Sequence, residues 1–174
     1  MQTREGPLLD NPLWQCACRL YAVRGVAETC LALQEEFALD VNLLLWAVWI
    51  DTRGVALGQE DVSSAHALVA AWHAEGVGPL RGARRAIKAM KLVERTAIAV
   101  LRADIQALEL RAEQIELALL FEWSERRWPA SGPIDATNLA RNVSEVLLRA
   151  GVVDAARRQS SADVIADAAR SLHG

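Results

Sequence analysis

The sequence predicts an all-α fold: a helical bundle of about seven to eight helices around one buried central helix, residues 41–53, with a long helix at about 97–126. Three observations carry this reading. Glycine and proline are sparse, 10 and 5 in 174 residues, while the strong helix formers Ala, Leu, Arg and Glu are abundant. Apolar residues recur at spacings of three and four through most segments. No segment alternates with period two for long enough to read as a strand. With 52% hydrophobic and 24% charged residues the chain is neither disordered nor collagen-like.

Each element follows from local signals. Asn11 before Pro12 is a helix start, a side-chain cap and then a residue that needs no donor, so a first helix runs from Pro12 to about Val23. Gly25 stops it. A second helix, Val26 to about Ala38, aligns Val26, Cys30, Leu33 and Phe37. Asp40 caps a third, Val41 to Arg53, which is apolar almost all round and belongs in the middle of the fold. A fourth spans about Gln59 to Glu75, with Glu60 and Asp61 in the first turn, where the helix dipole favours them. Gly76-Val77-Gly78-Pro79 is the clearest break. The proline-free stretch from Leu80 to Trp128 is too long for one helix in a bundle of this size, so a bend is expected between Lys91 and Ala97. Two domain units result: a bundle over residues 1–128 and an extension over 129–174. The extension holds helices at about Asp135 to Arg149 and, capped by Ser161, Ala162 to Leu172. It is too short to form a core alone and must dock on the bundle or on a partner.

Charge is unevenly placed. Residues 1–80 carry four Lys/Arg against ten Asp/Glu, and residues 81–174 fifteen against twelve, for a net charge of -3. Overall charge therefore does not favour bulk nucleic-acid binding. Arg81, Arg84, Arg85, Lys88, Lys91 and Arg95 fall within about 120° of one another on a helix, with Leu80, Ala83, Ile87 and Met90 on the other side. Guanidinium forks on such a face match phosphates and carboxylates. Free N–H groups after Pro79 would add to an anion site. The alternatives are pairing with the acidic first half or a solvated face. Ile98, Leu101, Ile105, Leu108, Ala112, Ile115 and Leu119 keep a strict 3-4 spacing. That is the seam of a homodimer or of antiparallel packing inside one bundle.

Other chemistry finds little support. His66 and His73 lie seven apart without CxxC or HExxH, so no metal is expected, and no cofactor loop is present. Cys16, Cys18 and Cys30 read as reduced thiols, Cys30 as a small core residue rather than a nucleophile. The six tryptophans read as packing, or, for Trp123 and Trp128 beside Arg126 and Arg127, as a contact patch. Tyr21, Gln34, Asn42 and Trp46 place polar atoms in the apolar middle, which implies an internal network or a ligand pocket. No signal peptide opens the chain, and its longest apolar run is too short to span a membrane, which points to the cytoplasm.

Taken in order, the CLALQ segment at 30–34, DVNLLL at 40–45 and PLRGARR at 79–85 resemble a proteobacterial family known only as a domain of unknown function, over about residues 12–120. Ala38 departs from that resemblance, standing where a glycine would end the second helix in a left-handed turn, and the strain on an alanine there predicts a remodelled corner. The resemblance implies a bacterial helical domain and no mechanism. The function expected is therefore a non-enzymatic binding or adaptor protein whose 81–95 face meets an acidic protein or nucleic acid. The alternative is a small-molecule binding protein or enzyme with its pocket at Tyr21, Gln34, Asn42 and Trp46.

Overall fold

The computed structural model describes residues 8–90, 96–129, 132 and 138–172. Among them the chain forms eight α-helices and one π-helical turn, with no strand. The helices are α1 Pro12–Tyr21, α2 Val26–Phe37, α3 Val41–Asp51, α4 Gln59–Trp72, α5 Gly78–Ala89, α6 Thr96–Arg127, α7 Asn138–Arg149 and α8 Ala155–Ser171. Capping follows the sequence. The Trp14 N–H donates to Asn11 Oδ1 at 3.0 Å, and the Asn42 N–H donates to Asp40 Oδ1 at 3.0 Å. From Asn42 to Asp51 every residue of α3 is buried, because α1, α4, α6 and α7 all pack against it. Trp46, Leu44 and Ile50 are wholly enclosed at its centre.

The expected break at Gly76–Pro79 is not a break. The helix continues through a π turn, His73–Val77, directly into α5. Pro79 has no N–H and its ring crowds the carbonyl four residues back, so a regular α-helix is disfavoured here. The wider turn accommodates this: the Gly78 N–H donates to the His73 carbonyl, five residues back. Gly76 lets the Trp72 ring lie close, since a Cβ there would sit 3.2 Å from it. No helix therefore starts at Leu80, and the free N–H groups expected after Pro79 do not exist as an anion site.

α5 ends at Ala89 and α6 begins at Thr96; the bend expected between them lies at 91–95, outside the described residues, as do Lys91 and Arg95. α6 is about 48 Å long. Its second half is buried through Ala112, Glu116, Leu117, Ala118 and Leu120, whereas α5, which packs on α6 and the π turn, buries no residue. Of the 3-4 seam, Ala112 is buried, Ile98, Ile105, Ile115 and Leu119 are half-buried, and Leu101 and Leu108 are exposed.

The last helix starts seven residues before Ala162. Asp154, not Ser161, caps it, accepting from the Arg157 N–H at 2.6 Å, and Ser161 is buried within the helix. α7 packs on α3 and α4, and α8 on α7 and α2, adding Val143, Val146, Leu147 and Ile165 to the core shared with α3. Asn142 fastens the join. Its Oδ1 accepts from the Leu57 N–H at 2.8 Å and its Nδ2 donates to the Val55 carbonyl at 2.9 Å.

Candidate functional site

Two cavities lie on either side of the α2–α3 corner. The first, about 400 Å³, is walled by Trp14, Ala17, Cys18 and Tyr21 of α1, Gln34 of α2, Val41, Asn42 and Leu45 of α3, Arg81 of α5, and Leu110, Glu113 and Leu117 of α6. Its walls are chiefly apolar. The polar residues among them are Tyr21, Gln34 and Asn42 together with Arg81 and Glu113. Among the described residues the Gln34 and Asn42 carboxamides and the Tyr21 hydroxyl make no hydrogen bond. Burial raises the Tyr21 phenol above its usual value, helped by Cys30 and Glu113, so it stays a neutral donor.

Three of the four residues singled out in the sequence thus meet at one cavity. Trp46 does not. It is wholly buried, its Nε1–H donating to Ser124 Oγ at 2.8 Å while that hydroxyl donates to the Leu120 carbonyl. Leu43, Trp49 and Ile50, one turn away on α3 and themselves buried, hold its ring in the core. Trp123 and Trp128 likewise pack inward, Trp123 centred 6.0 Å from Trp46 and 5.4 Å from Trp128.

The basic stripe divides in two. Arg81 Nε donates to Glu109 Oε1 at 3.1 Å and its Nη2 to Glu113 Oε1 at 2.6 Å; Arg84 donates from Nε to Glu109 Oε2 and from Nη2 to Oε1, the latter at 3.1 Å. These partners belong to α6, not to the acidic first half, because α6 is the helix against which α5 lies. Burial opposes the charged Glu109 carboxylate, but the hydrogen bonds from Arg84 and Arg81 outweigh it and hold it below the usual range. At Arg81 burial opposes the charge, but the bonds to Glu113 and Glu109 together outweigh it and raise the guanidinium; at Arg84 the bond to Glu109 does so. Glu113 moves the other way, up, because burial there exceeds the pull of Arg81. Arg85 and Lys88 remain exposed and make no ion pair among the described residues.

The second cavity, about 440 Å³, runs between α2, α4 and α7 past Phe37, Leu39, Val62, His66, Val146 and Arg149. Asp40 and His73 also line it, and with Glu116 they form a cluster that sequence spacing did not reveal. Asp40 enters from the α3 cap, His73 from the first residue of the π turn, and Glu116 from the buried half of α6. His73 Nδ1 lies 3.1 Å from Glu116 Oε2 and 3.3 Å from Asp40 Oδ2. Glu116 is wholly enclosed. Burial and the facing Glu116 push the Asp40 carboxyl well above its ordinary range, while the hydrogen bond to Glu116 raises the His73 imidazole despite burial. Sequence spacing relates His73 to His66 but not to these partners, which lie 33 residues before and 43 after it. The one available signal was a glutamate on the apolar face of α6. The thiols are not part of either arrangement, apart from Cys18 at the first cavity. Burial pushes Cys30 up to about 12, which keeps it protonated.

A single polypeptide stretch supplies the three-residue cluster and the walls of the first cavity and defines a helical domain. The chain belongs to the family described as a protein of unknown function (DUF2390), whose model matches residues 12–120. That span holds every residue of the Asp40–His73–Glu116 cluster and of the first cavity, and leaves α7 and α8 outside. No curated protein matches the chain, and no solved structure does. Among the described residues no helix is long and apolar enough to cross a membrane.

Proposed function

We propose that the protein binds a small, largely apolar molecule with a polar head group in the cavity at Tyr21, Gln34 and Asn42. The observation that carries this reading is the set of polar groups without hydrogen bonds among the described residues, Gln34, Asn42 and Tyr21, that line one chiefly apolar hollow of about 400 Å³. Pockets that hold small ligands have this composition: apolar walls for affinity and a few polar atoms for orientation. Trp14, Leu45, Leu110 and Leu117 take the apolar body. Arg81 and Glu113, already paired, contribute a nearly neutral dipole rather than a free charge. Native mass spectrometry of gently purified protein at low salt is expected to show a discrete mass added to the 19.0 kDa chain. Gln34→Ala should lose that mass. The accessible Cys18 thiol should react with a thiol reagent more slowly in the ligand-bearing protein than after the ligand is removed. A bare chain whose Cys18 reactivity is unchanged by a broad small-molecule screen would overturn the reading.

A second reading, an interaction surface, is favoured by the α5–α6 hairpin. Met90, Val100, Leu101 and Leu108 are each more than half exposed there, near the unpaired Arg85 and Lys88. Under it, an acidic protein partner or a second copy of the chain covers this face. Arg85→Glu with Lys88→Glu would abolish capture of the acidic partner without lowering stability, whereas the same change at Arg84 would break an internal ion pair.

A further inference from the structure

We propose that Asp40, His73 and Glu116 form a binding site for one divalent first-row transition-metal ion, with coordination positions left open toward the 440 Å³ cavity. Three features carry the proposal. The ligand types are right: one imidazole nitrogen and two carboxylates suit zinc, manganese and their neighbours better than calcium or magnesium, which favour oxygen alone. The spacing is right too. Metal–ligand bonds of about 2.0–2.2 Å put neighbouring donors about 3.0–3.5 Å apart, and His73 Nδ1 lies 3.1 Å from Glu116 Oε2 and 3.3 Å from Asp40 Oδ2. Finally, the three donors come from separately anchored elements, a helix cap, a π turn and a buried helix face, so their convergence is not a by-product of one helix surface. His66 and Arg149 line the cavity that leads there.

The test uses the full chain, stripped of metal with a chelator and titrated with Co²⁺ followed by visible absorption, then with Zn²⁺ in competition. One equivalent of Co²⁺ is expected to bind with a d–d spectrum and to be displaced by Zn²⁺ but not by Mg²⁺. His73→Ala should weaken binding by more than about 100-fold, the upper end of what losing a mere outer-shell partner costs. Asp40→Asn is the second variant, because asparagine still caps α3 and so removes a ligand charge without removing the cap. His66→Ala should leave the affinity unchanged. Absence of saturable Co²⁺ binding by the unaltered chain would overturn the proposal and leave the three residues as a proton-sharing hydrogen-bond network. Binding undiminished in both His73→Ala and Asp40→Asn would overturn it equally, by placing the metal elsewhere.

Discussion

Ala38 has φ +52°, ψ +31°, and is the non-glycine residue with positive φ among those described. That conformation costs an alanine about 1–2 kcal/mol, yet it turns the chain from α2 into the Asp40 cap and so aims Asp40 at His73. Ala38 is exposed, and a glycine would hold the same turn without strain. Ala38→Gly is therefore expected to raise stability by about 0.5–1 kcal/mol, the gain being trimmed by the freer unfolded chain. The midpoint of urea unfolding measures it. Glu109 makes the opposite kind of contribution. Its pKa is lowered by folding, so its stabilisation is complete above the ordinary glutamate range and vanishes as pH falls through the lowered folded value. Glu109→Gln should cost about 1–3 kcal/mol at pH 7 and flatten the acid limb of a stability–pH curve. A parallel downward shift of the whole curve would assign the loss to packing instead.

At the level of elements, the sequence was legible wherever a cap or a glycine acts within a few residues. Asn11, Asp40 and Gly25 mark their helix ends as their side chains or backbone freedom require, whereas the corner expected to be remodelled at Ala38 keeps the left-handed turn despite its strain. It misled where a breaker has a tertiary solution. Gly76-Val77-Gly78-Pro79 reads as a loop, but packing of Trp72, whose Nε1–H donates to the Ala112 carbonyl at 2.9 Å, keeps the helix going through the wide turn. Ser161 failed as a cap for a related reason: Asp154 offers a carboxylate seven residues earlier, and the alanines between continue the helix. Of the candidate pocket, Tyr21, Gln34 and Asn42 were legible because polar residues stand out in apolar surroundings. Asp40, His73 and Glu116 were not, because their grouping depends on how three helices cross.

For the molecule as a whole, the core crosses the boundary drawn at residue 128. Leu139, Val143, Val146 and Leu147 of α7 pack with α3, and the Gly132 N–H donates to the Arg53 carbonyl at 2.7 Å. The central helix would be left uncovered on one side without α7. Asn142 is the residue on which this join depends, since it satisfies a buried donor at Leu57 and an acceptor at Val55. Asn142→Ala leaves both without partners and is expected to cost about 2–4 kcal/mol, seen as a lower melting temperature. A change under 0.5 kcal/mol would mean that water replaces the carboxamide and that α7 is held by apolar contacts alone.

The π turn also sets the rotational phase between the two polar clusters. Along an unbroken α-helix His73 and Arg81, eight residues apart, would point about 80° away from one another. The extra residue closed into the wide turn takes back about 100° of that winding, so the pair behaves as though seven apart. Seven is also the separation of Glu109 and Glu116, their partners on the antiparallel α6. The helix running from α4 into α5 and α6 are thereby kept in step over two turns, with an imidazole meeting one carboxylate and a guanidinium the other.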